Sequence, residues 1–340
     1  MYGSKVMEAG QKRDLGRVLV TGATGFIGYA VARGLIRRGL RPRLMVRRQE
    51  RGRVLSYLAA DLVYANLLRP ESLARVVEGV DTVFHLAARA TFERYDRLRP
   101  TIVDGSAELM KAATRAGVKR FVFASSLLVY GSTDSEIDAS TPTHPQIGYG
   151  RAKVEAEERL RREASPAMEL AILRLPHVYG ARSFLFDQLK KGFLLFPGSG
   201  ENVYSHLHVE DAADLLIEVA TRGWTGTSPV ADDDPSTWND FFSVLDEFYP
   251  AMRLLQLPAS LAIAGATVLE AALAWRKRPT LYTSDTVRGW LLNLPVRRRL
   301  VWQELGLEPR YPSIDSGIPA SLDDAVSFRW LHATADRSNG

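Results

Sequence analysis

The stretch VLVTGATGFIG, residues 18–28, constrains the fold of this chain more than any other part of it. A short apolar strand leads into a glycine-rich turn, and the turn leads into a segment with helical spacing. Gly22 permits a sharp turn, Gly25 permits close approach of a pyrophosphate, and Gly28 permits close packing of the helix on the strand. Free N–H groups at the helix start favour a phosphate. The stretch predicts a dinucleotide site, although its G-x-x-G-x-x-G spacing is wider than the usual fingerprint and also suits a purely structural turn.

The segment after the glycine turn predicts a βαβ unit and bears on the choice of cofactor. Residues 29–38 have apolar residues at helical spacing, and residues 41–46 predict a second strand. NAD-specific enzymes place a carboxylate after this strand, whereas arginine pairs with the 2′-phosphate of NADP. Here the strand is followed by Arg47 and Arg48. The sequence therefore favours NADP(H) over NAD, with two exposed strand-end arginines as the alternative interpretation.

A Y-x-x-x-K motif opens the helical run in the middle of the chain. Tyr149 and Lys153 are four residues apart, so on a helix they project from one face. A phenol with a pKa near 10 is a poor acid–base catalyst at neutral pH, and a nearby cation lowers that pKa. The spacing therefore indicates Tyr149 as a general acid or base in a hydride transfer, with Lys153 as the cation that supports it.

TGATGFIG, the segment SSLLVYG and the Y-x-x-x-K motif together resemble the extended branch of the short-chain dehydrogenase/reductase superfamily, from residue 17 to about residue 240. The resemblance is nearest to steroid dehydrogenase-like members. It implies that Ser126, four residues before Tyr130, completes the catalytic set and aligns the reacting oxygen. The sequence departs from the family at Ile102, where relatives carry an asparagine that orders the site. A proton relay through position 102 is therefore not expected.

The resemblance also implies which residues contact the cofactor and the substrate. The predicted cofactor-binding residues are Gly22, Thr24, Gly25, Phe26, Ile27, Gly28, Arg47, Arg48, Asn66, Leu67, Leu86, Ala87, Ala88, Tyr149, Lys153 and Pro176. The predicted substrate-binding residues are His177 and Tyr204. Tyr204 stands where sugar-nucleotide enzymes of the family carry an arginine for the substrate diphosphate, and a phenol cannot replace that ion pair. His85, on an apolar strand, is interpreted as a core residue without a catalytic role.

Alternating strands and helices predict an α/β fold, a Rossmann-type doubly wound parallel sheet with a smaller, discontinuous C-terminal substrate lobe. Further strands are expected at 62–67 and 229–232. The expected organisation is a polar N-terminal extension at 1–16, a dinucleotide-binding domain at 17–182 plus 205–234, a substrate lobe at 183–204 plus 235–330, and a tail at 331–340.

Composition excludes several classes of function. The chain has 340 residues and a net charge of +5, but its basic residues are spread along it without interleaved aromatics, so no nucleic-acid partner is expected. It contains no cysteine, which excludes disulfides, a thiolate nucleophile and a cysteine metal site, and no metal is predicted. Residues 1–16 lack the apolar core of a signal peptide, which favours a cytoplasmic location.

Residues 254–275 form the most apolar run of the chain and predict a helix. Leu254, Leu261, Val268 and Trp275 recur at seven-residue intervals, which favours a helix that faces the core or a second subunit, and a homodimer is expected. Pro258 interrupts the run and argues against a membrane-spanning helix. The alternative is a peripheral membrane contact through residues 254–278, with the basic residues 276–278 at the headgroups.

These observations predict an NADP(H)-dependent oxidoreductase that transfers hydride between the nicotinamide and a hydrophobic hydroxy or keto substrate, steroid-like or another apolar alcohol or ketone. One alternative is a nucleotide-sugar epimerase or dehydratase with no net redox change. The other alternative is a non-catalytic dinucleotide-binding sensor. Ile102 is compatible with it, because relatives carry at this position an asparagine that orders the catalytic site.

Overall fold

A computed structural model of the chain describes residues 13–88, 92–189, 191–250, 252–275 and 283–327. Most of the expected N-terminal extension, the basic residues 276–278 and the expected tail therefore lie outside the described residues.

The centre of the molecule is a seven-stranded sheet in which all neighbouring strands are parallel. The strands of the chain are β1 Val18–Thr21, β2 Arg43–Val46, β3 Asp61–Tyr64, β4 Thr82–His85, β5 Arg120–Ser126, β6 Glu169–Leu175, β7 His177–Tyr179, β8 Phe193–Pro197, β9 His206–His208, β10 Gly226–Pro229 and β11 Arg253–Leu257. The order in the large sheet is β3-β2-β1-β4-β5-β6-β10. The direction of winding reverses between β1 and β4, and ligands of such sheets bind at that switch point, outside the carboxyl ends of the strands. The predicted fold class is confirmed.

Helices cover both faces of the sheet, as parallel sheets require. The helices are α1 Phe26–Arg37, α2 Gln49–Gly52, α3 Leu73–Val77, α4 Tyr95–Arg99, α5 Gly105–Arg115, α6 Gly148–Glu163, α7 Phe184–Leu189, α8 Val209–Thr221, α9 Trp238–Phe248, α10 Ala259–Trp275, α11 Ser284–Trp290, α12 Leu300–Glu304 and α13 Ile314–Ser327. One apolar core packs α1 and α8 on one face of the sheet, and a second packs α3, α5 and α6 on the other. A π-helical turn, Pro100–Asp104, precedes α5.

A third core belongs to the smaller lobe, which is built from separate stretches of the chain. Its two parallel strand pairs are β7 with β9 and β8 with β11. The core joins aromatic side chains of α9 to residues of α7, α13 and the loop after α11. Trp238 and Phe241 of α9 are completely or almost completely buried in it. The lobe packs against the carboxyl end of the large sheet through Tyr149 at the start of α6.

Three sequence-based predictions of elements are wrong in their bounds. The strand expected at 62–67 is β3 and ends at Tyr64, because a turn begins at Asn66, whose Oδ1 accepts a hydrogen bond from the backbone N–H of Leu68 at 3.1 Å. The strand expected at 229–232 lies three residues earlier, as β10. The single helix expected at 254–275 is a strand followed by a helix, since β11 pairs with β8 before Pro258 opens α10.

The exposure of α10 also overturns the core-facing interpretation of that segment. Of residues 259–273, Ala266 alone is buried. Leu261 is 65% exposed and Val268 is 70% exposed, although both belong to the seven-residue repeat that favoured a buried seam. The search of the described residues for a helix long and apolar enough to cross a membrane finds none.

Candidate active site

The glycine turn after β1 is shaped by contacts of main chain with main chain. Gly22 has a φ of +74°, and a Cβ there would lie 2.7 Å from the backbone nitrogen of Ala87. A Cβ on Gly28 would lie 2.2 Å from the carbonyl oxygen of Gly22. Gly25 is exposed, and among the described residues outside its own local backbone its added Cβ would meet only that same oxygen, at 3.1 Å. Gly22 and Gly28 therefore allow the close contacts within the turn, whereas Gly25 leaves the outer side of the turn accessible.

The open side of the turn fits the diphosphate of a dinucleotide. Gly25 is the N-cap of α1 and no side chain caps the helix start, so the N–H groups of its first turn are available to an anion. Thr24, Phe26 and Ile27 surround this point and are half-buried. The exit of β4 is fixed beside it, because the backbone N–H groups of Leu86 and Ala87 both donate to Thr21 Oγ1 at 3.2 Å. These residues of the predicted cofactor set lie together at the switch point of the sheet.

The remaining predicted cofactor residues follow other strands of the large sheet, at the same carboxyl edge. Arg47 and Arg48 are exposed and follow β2 directly, next to β1. Asn66 and Leu67 follow β3 and are half-buried and buried, respectively. Pro176 lies between β6 and β7 and is half-buried.

His85 is a core residue, as the sequence analysis interpreted it. Its side chain is completely buried, with Nδ1 2.7 Å from Thr21 Oγ1 and Nε2 2.8 Å from Ser106 Oγ. Burial lowers its pKa to about 3, so the ring is neutral. Ile102 lies beneath the same network: its carbonyl accepts from Ser106 Oγ at 2.6 Å and its side chain is buried in the core around α5. The apolar residue at 102 therefore serves packing at a position where relatives are expected to use an amide.

The start of α6, which carries Tyr149, lies against the turn after β5. The residue that follows Tyr149 is a glycine, and this allows the close approach. A Cβ on Gly150 would lie 2.0 Å from the carbonyl oxygen of Leu128, so α6 rests on the main chain of the turn that begins at Ser126. Ser126 is half-buried, and its Oγ accepts from the backbone N–H of Leu128 at 3.3 Å. Its hydroxyl proton is left for another acceptor. The predicted hydroxyl and phenol thus stand on two segments in direct contact.

Lys153 lies one turn below Tyr149 and is only 3% exposed. Its Nζ donates to the carbonyl oxygen of Ala124 at 2.6 Å and lies 5.7 Å from the centre of the Tyr149 ring. Burial lowers the pKa of Lys153 to about 7, against the opposing effect of the Glu157 carboxylate. Burial also raises the pKa of Tyr149 to about 12, so its phenol is protonated at neutral pH. The arrangement can deliver a proton from Tyr149 to an oxygen.

A buried charge network under α6 was missed by the sequence analysis. Arg174 donates to Glu157 from two nitrogens, at 3.0 and 2.7 Å, and donates from a third to the Tyr130 hydroxyl at 2.8 Å. Ser125 Oγ donates to the same carboxylate at 2.6 Å. These partners hold the pKa of Glu157 below its usual value despite its burial. The available signal was the position of Glu157, four residues after Lys153 on a helix, and of an arginine inside the apolar strand β6.

The two predicted substrate residues lie in one aromatic cluster of the smaller lobe. His177 Nδ1 is 2.9 Å from His206 Nδ1, so one ring donates to the other. The ring centre of Tyr204 is 4.7 Å from that of Trp238, which also packs on His177 at 5.0 Å. Burial lowers the pKa of His177 to about 3 and that of His206 well below its usual value. The pair is therefore neutral, and the partner of His177 was not identified from the sequence.

The comparisons with known proteins agree with this geometry. The sequence model of the NAD dependent epimerase/dehydratase family matches residues 18–230. This chain belongs to that family, within the extended short-chain dehydrogenases/reductases, and is an NAD(P)-dependent enzyme of that type.

Two curated relatives and one solved structure give the range of similarity. The chain is 27% identical to the ceramide reductase of Caulobacter vibrioides over 286 residues, which cover 81% of this chain and 84% of the relative. It is 33% identical to sterol demethylase protein B of Methylococcus capsulatus over 172 residues, 49% of this chain and 52% of the relative. The UDP-glucose 4-epimerase of Thermotoga maritima, solved with UDP-glucose, superimposes with a TM-score of 0.73 at 21% identity, covering 93% of this chain and all of that one, and shows the shared fold.

Proposed function

We propose that this chain is an NADP(H)-dependent oxidoreductase that transfers hydride between the nicotinamide and an apolar hydroxy or keto compound. The observation that carries the proposal is the apolar surroundings of Tyr149. Its ring meets the edge of Phe92 at 5.3 Å between ring centres and packs against the core that contains Tyr204 and Trp238. A nucleotide-sugar diphosphate would need cationic partners, and Tyr204 offers none. The names of the two curated relatives, a ceramide reductase and a sterol demethylase protein, also refer to lipids.

The reaction divides its work among three side chains. A bound nicotinamide supplies or accepts the hydride. Ser126 Oγ–H donates a hydrogen bond to the substrate oxygen and orients it, and Tyr149 gives its phenolic proton to that oxygen when a carbonyl is reduced. Lys153 lies beneath the phenol and, in its protonated form, stabilises the phenolate left behind. With its pKa raised to about 12, Tyr149 is protonated at neutral pH and can act as the proton donor when a carbonyl is reduced.

The uncapped start of α1 supports either dinucleotide, and the position of Arg47 and Arg48 supports NADP(H) over NAD. The uncapped start of α1 suits the diphosphate, and Arg47 and Arg48 follow β2, the strand paired with β1, where they can reach a 2′-phosphate.

The test is turnover of an apolar ketone panel by the purified protein with NADPH or NADH, followed by nicotinamide absorbance and product chromatography, beside nucleotide sugars. Net oxidation of NADPH with formation of the alcohol is expected. Conversion of a nucleotide sugar to an isomer or dehydrated product without net redox change would replace the proposal by the epimerase or dehydratase alternative. Cofactor binding without turnover of any substrate in the panel would instead favour the sensor.

A further inference from the structure

Three elements of the smaller lobe, β8, β11 and α10, expose apolar side chains. β11 pairs with β8 and is followed in the chain by α10. In the β8–β11 ribbon, Leu195 and Leu255 are directly paired and both are exposed, while Leu194 on the other face is buried. The ribbon runs through Pro258 into α10, where Leu261 and Val268 are exposed on one side of the helix. Small residues lie between them at 264 and 265, and after Val268 at 271 and 272. We define the apolar face by its large exposed side chains, Phe193, Leu195, Leu255, Leu257, Leu261 and Val268.

A helix that is apolar on all sides is found inside a protein core or inside a membrane. The core is excluded for α10, because Ala266 alone is buried among its residues 259–273. Two of its polar side chains have hydrogen-bond partners: Thr267 Oγ1 donates to the carbonyl oxygen of Ile263 at 2.8 Å, and the Glu270 carboxylate accepts from the hydroxyl of Ser284 at 3.3 Å. At about 1.5 Å per residue, α10 is about 25 Å long, shorter than the hydrocarbon core of a bilayer. These properties suit a helix that lies in the membrane interface.

The charge around the apolar face is positive. Lys191 and Arg253 are exposed at the same end of the ribbon, since β8 and β11 are parallel. Two acidic side chains lie near the ribbon: Asp246 shares a shallow cavity with Leu254, on the face opposite Leu255, and Glu201 is linked to Gln256 of β11 through Asn239. A second copy of this face would carry the same positive charge, whereas anionic lipid headgroups carry the complementary charge.

We propose that the apolar face docks this enzyme on the surface of a membrane that contains anionic lipids. α10 and the ribbon enter the headgroup and upper acyl region, and the basic residues contact the lipid phosphates.

The docked surface is connected to Tyr149 through α11. Glu270 of α10 holds Ser284 at the start of α11, and Asp285 of α11 accepts from the backbone N–H of Gly148 at 2.8 Å. Thr283, the N-cap of α11, donates to the carbonyl oxygen of Phe92, whose ring touches Tyr149. The apolar ketone would thus reach the site from the bilayer, an extension that rests on the proposed function.

Flotation with lipid vesicles tests the docking without cofactor or substrate. The full chain is expected to float with vesicles of phosphatidylglycerol and phosphatidylcholine in equal parts, and to bind pure phosphatidylcholine more weakly. The double variant L261D/V268D is expected to bind the anionic vesicles at least roughly tenfold more weakly. The matched control V54D changes an exposed valine of the nucleotide-binding side and should float like the wild type.

Two results would overturn the docking proposal. One is a wild-type protein that floats with neither vesicle. The other is a dimer in sedimentation velocity that L261D/V268D dissociates without any change in flotation, which would assign the face to a second copy. Turnover of a short water-soluble ketone, unchanged in L261D/V268D, reports separately on the proposed function.

Discussion

Two buried groups of polar side chains in this molecule satisfy their hydrogen bonds in different ways. Below α6, Glu157 and Arg174 are charged, and their network includes four hydrogen bonds. In the smaller lobe, His177 and His206 are neutral, and His206 Nε2 has no hydrogen-bond partner among the described residues. Asp232 behaves like the histidines: both carboxylate oxygens lack a partner within the described part of the chain, and burial raises its pKa well above the usual value.

The contrast separates what is fixed in this enzyme from what is adaptable. A fully paired charge network has one good geometry, because loss of either partner leaves a buried charge. It holds Lys153 and the start of α6 in place. The neutral, incompletely bonded cluster has no such constraint, and it lies on the side where the substrate is proposed to bind. The variants below test this difference, from the largest expected effect to the smallest.

The variant Y149F is expected to lower kcat on the order of 10³-fold, because the only proton donor of the proposed mechanism is removed. Cofactor affinity, measured by NADPH fluorescence titration, should stay nearly unchanged. The control Y64F removes an exposed hydroxyl on β3 and should keep full activity. Full activity in Y149F would eliminate the proposed mechanism.

The variant E157Q breaks the charged network and should lower the free energy of unfolding by about 3 kcal/mol, since Arg174 loses its buried counter-charge. The carboxylate also raises the pKa of Lys153, so its removal should move the alkaline limb of the kcat/KM profile to lower pH. Denaturant titration and the pH profile are the measurements. The exposed neighbour gives the control E158Q. Reduced stability with an unmoved pH profile would limit Glu157 to a structural role.

The double variant R47A/R48A is expected to weaken NADPH binding roughly tenfold or more while NADH binding changes little, because a charge-assisted hydrogen bond contributes about 1.5–3 kcal/mol. Isothermal titration with both cofactors measures the difference. R115A, which removes an exposed arginine of α5, is the control. Equal losses for both cofactors would contradict a 2′-phosphate site.

The neutral histidine cluster predicts a smaller, pH-dependent effect. The folded-state pKa values of His177 and His206 lie below the unfolded value of about 6.5, so the unfolded chain binds more protons as the pH falls. Stability should therefore decrease below about pH 6.5, by about 1.4 kcal/mol per pH unit for His177 down towards pH 3, and His206 should add to the loss in the same direction.

The variant H177F/H206F should flatten that acid dependence in denaturant titrations, and H206F alone should cost about 1–3 kcal/mol at neutral pH because it strands His177 Nδ1. The exposed His144 gives the control H144F. An acid slope unchanged in the double variant would assign the loss of stability to other groups, such as His85.

The sequence-based prediction succeeded where short-range patterns determine structure. The glycine turn, the parallel sheet and the Y-x-x-x-K helix depend on local spacing, and the strand–helix alternation fixed the fold class. The prediction failed where the structure depends on pairing between strands that are far apart in the sequence. The register of β11 against β8 turned the start of an apolar run into a strand, and His206 meets His177 only because β9 pairs with β7. The exposure of α10 could not be predicted either, because hydrophobic periodicity does not show whether another element packs against an apolar helix.

The contact between Gly150 and the Leu128 carbonyl has an evolutionary consequence. Because of this contact, the spacing between the proposed proton donor Tyr149 and the hydroxyl of Ser126 depends on how two backbone segments pack, and not on side-chain packing. Substitutions in the aromatic lobe can then alter which molecule is accepted without retuning the acid that acts on it. A lineage could exchange one substrate for another while the chemical step is inherited intact, provided that position 150 keeps no side chain.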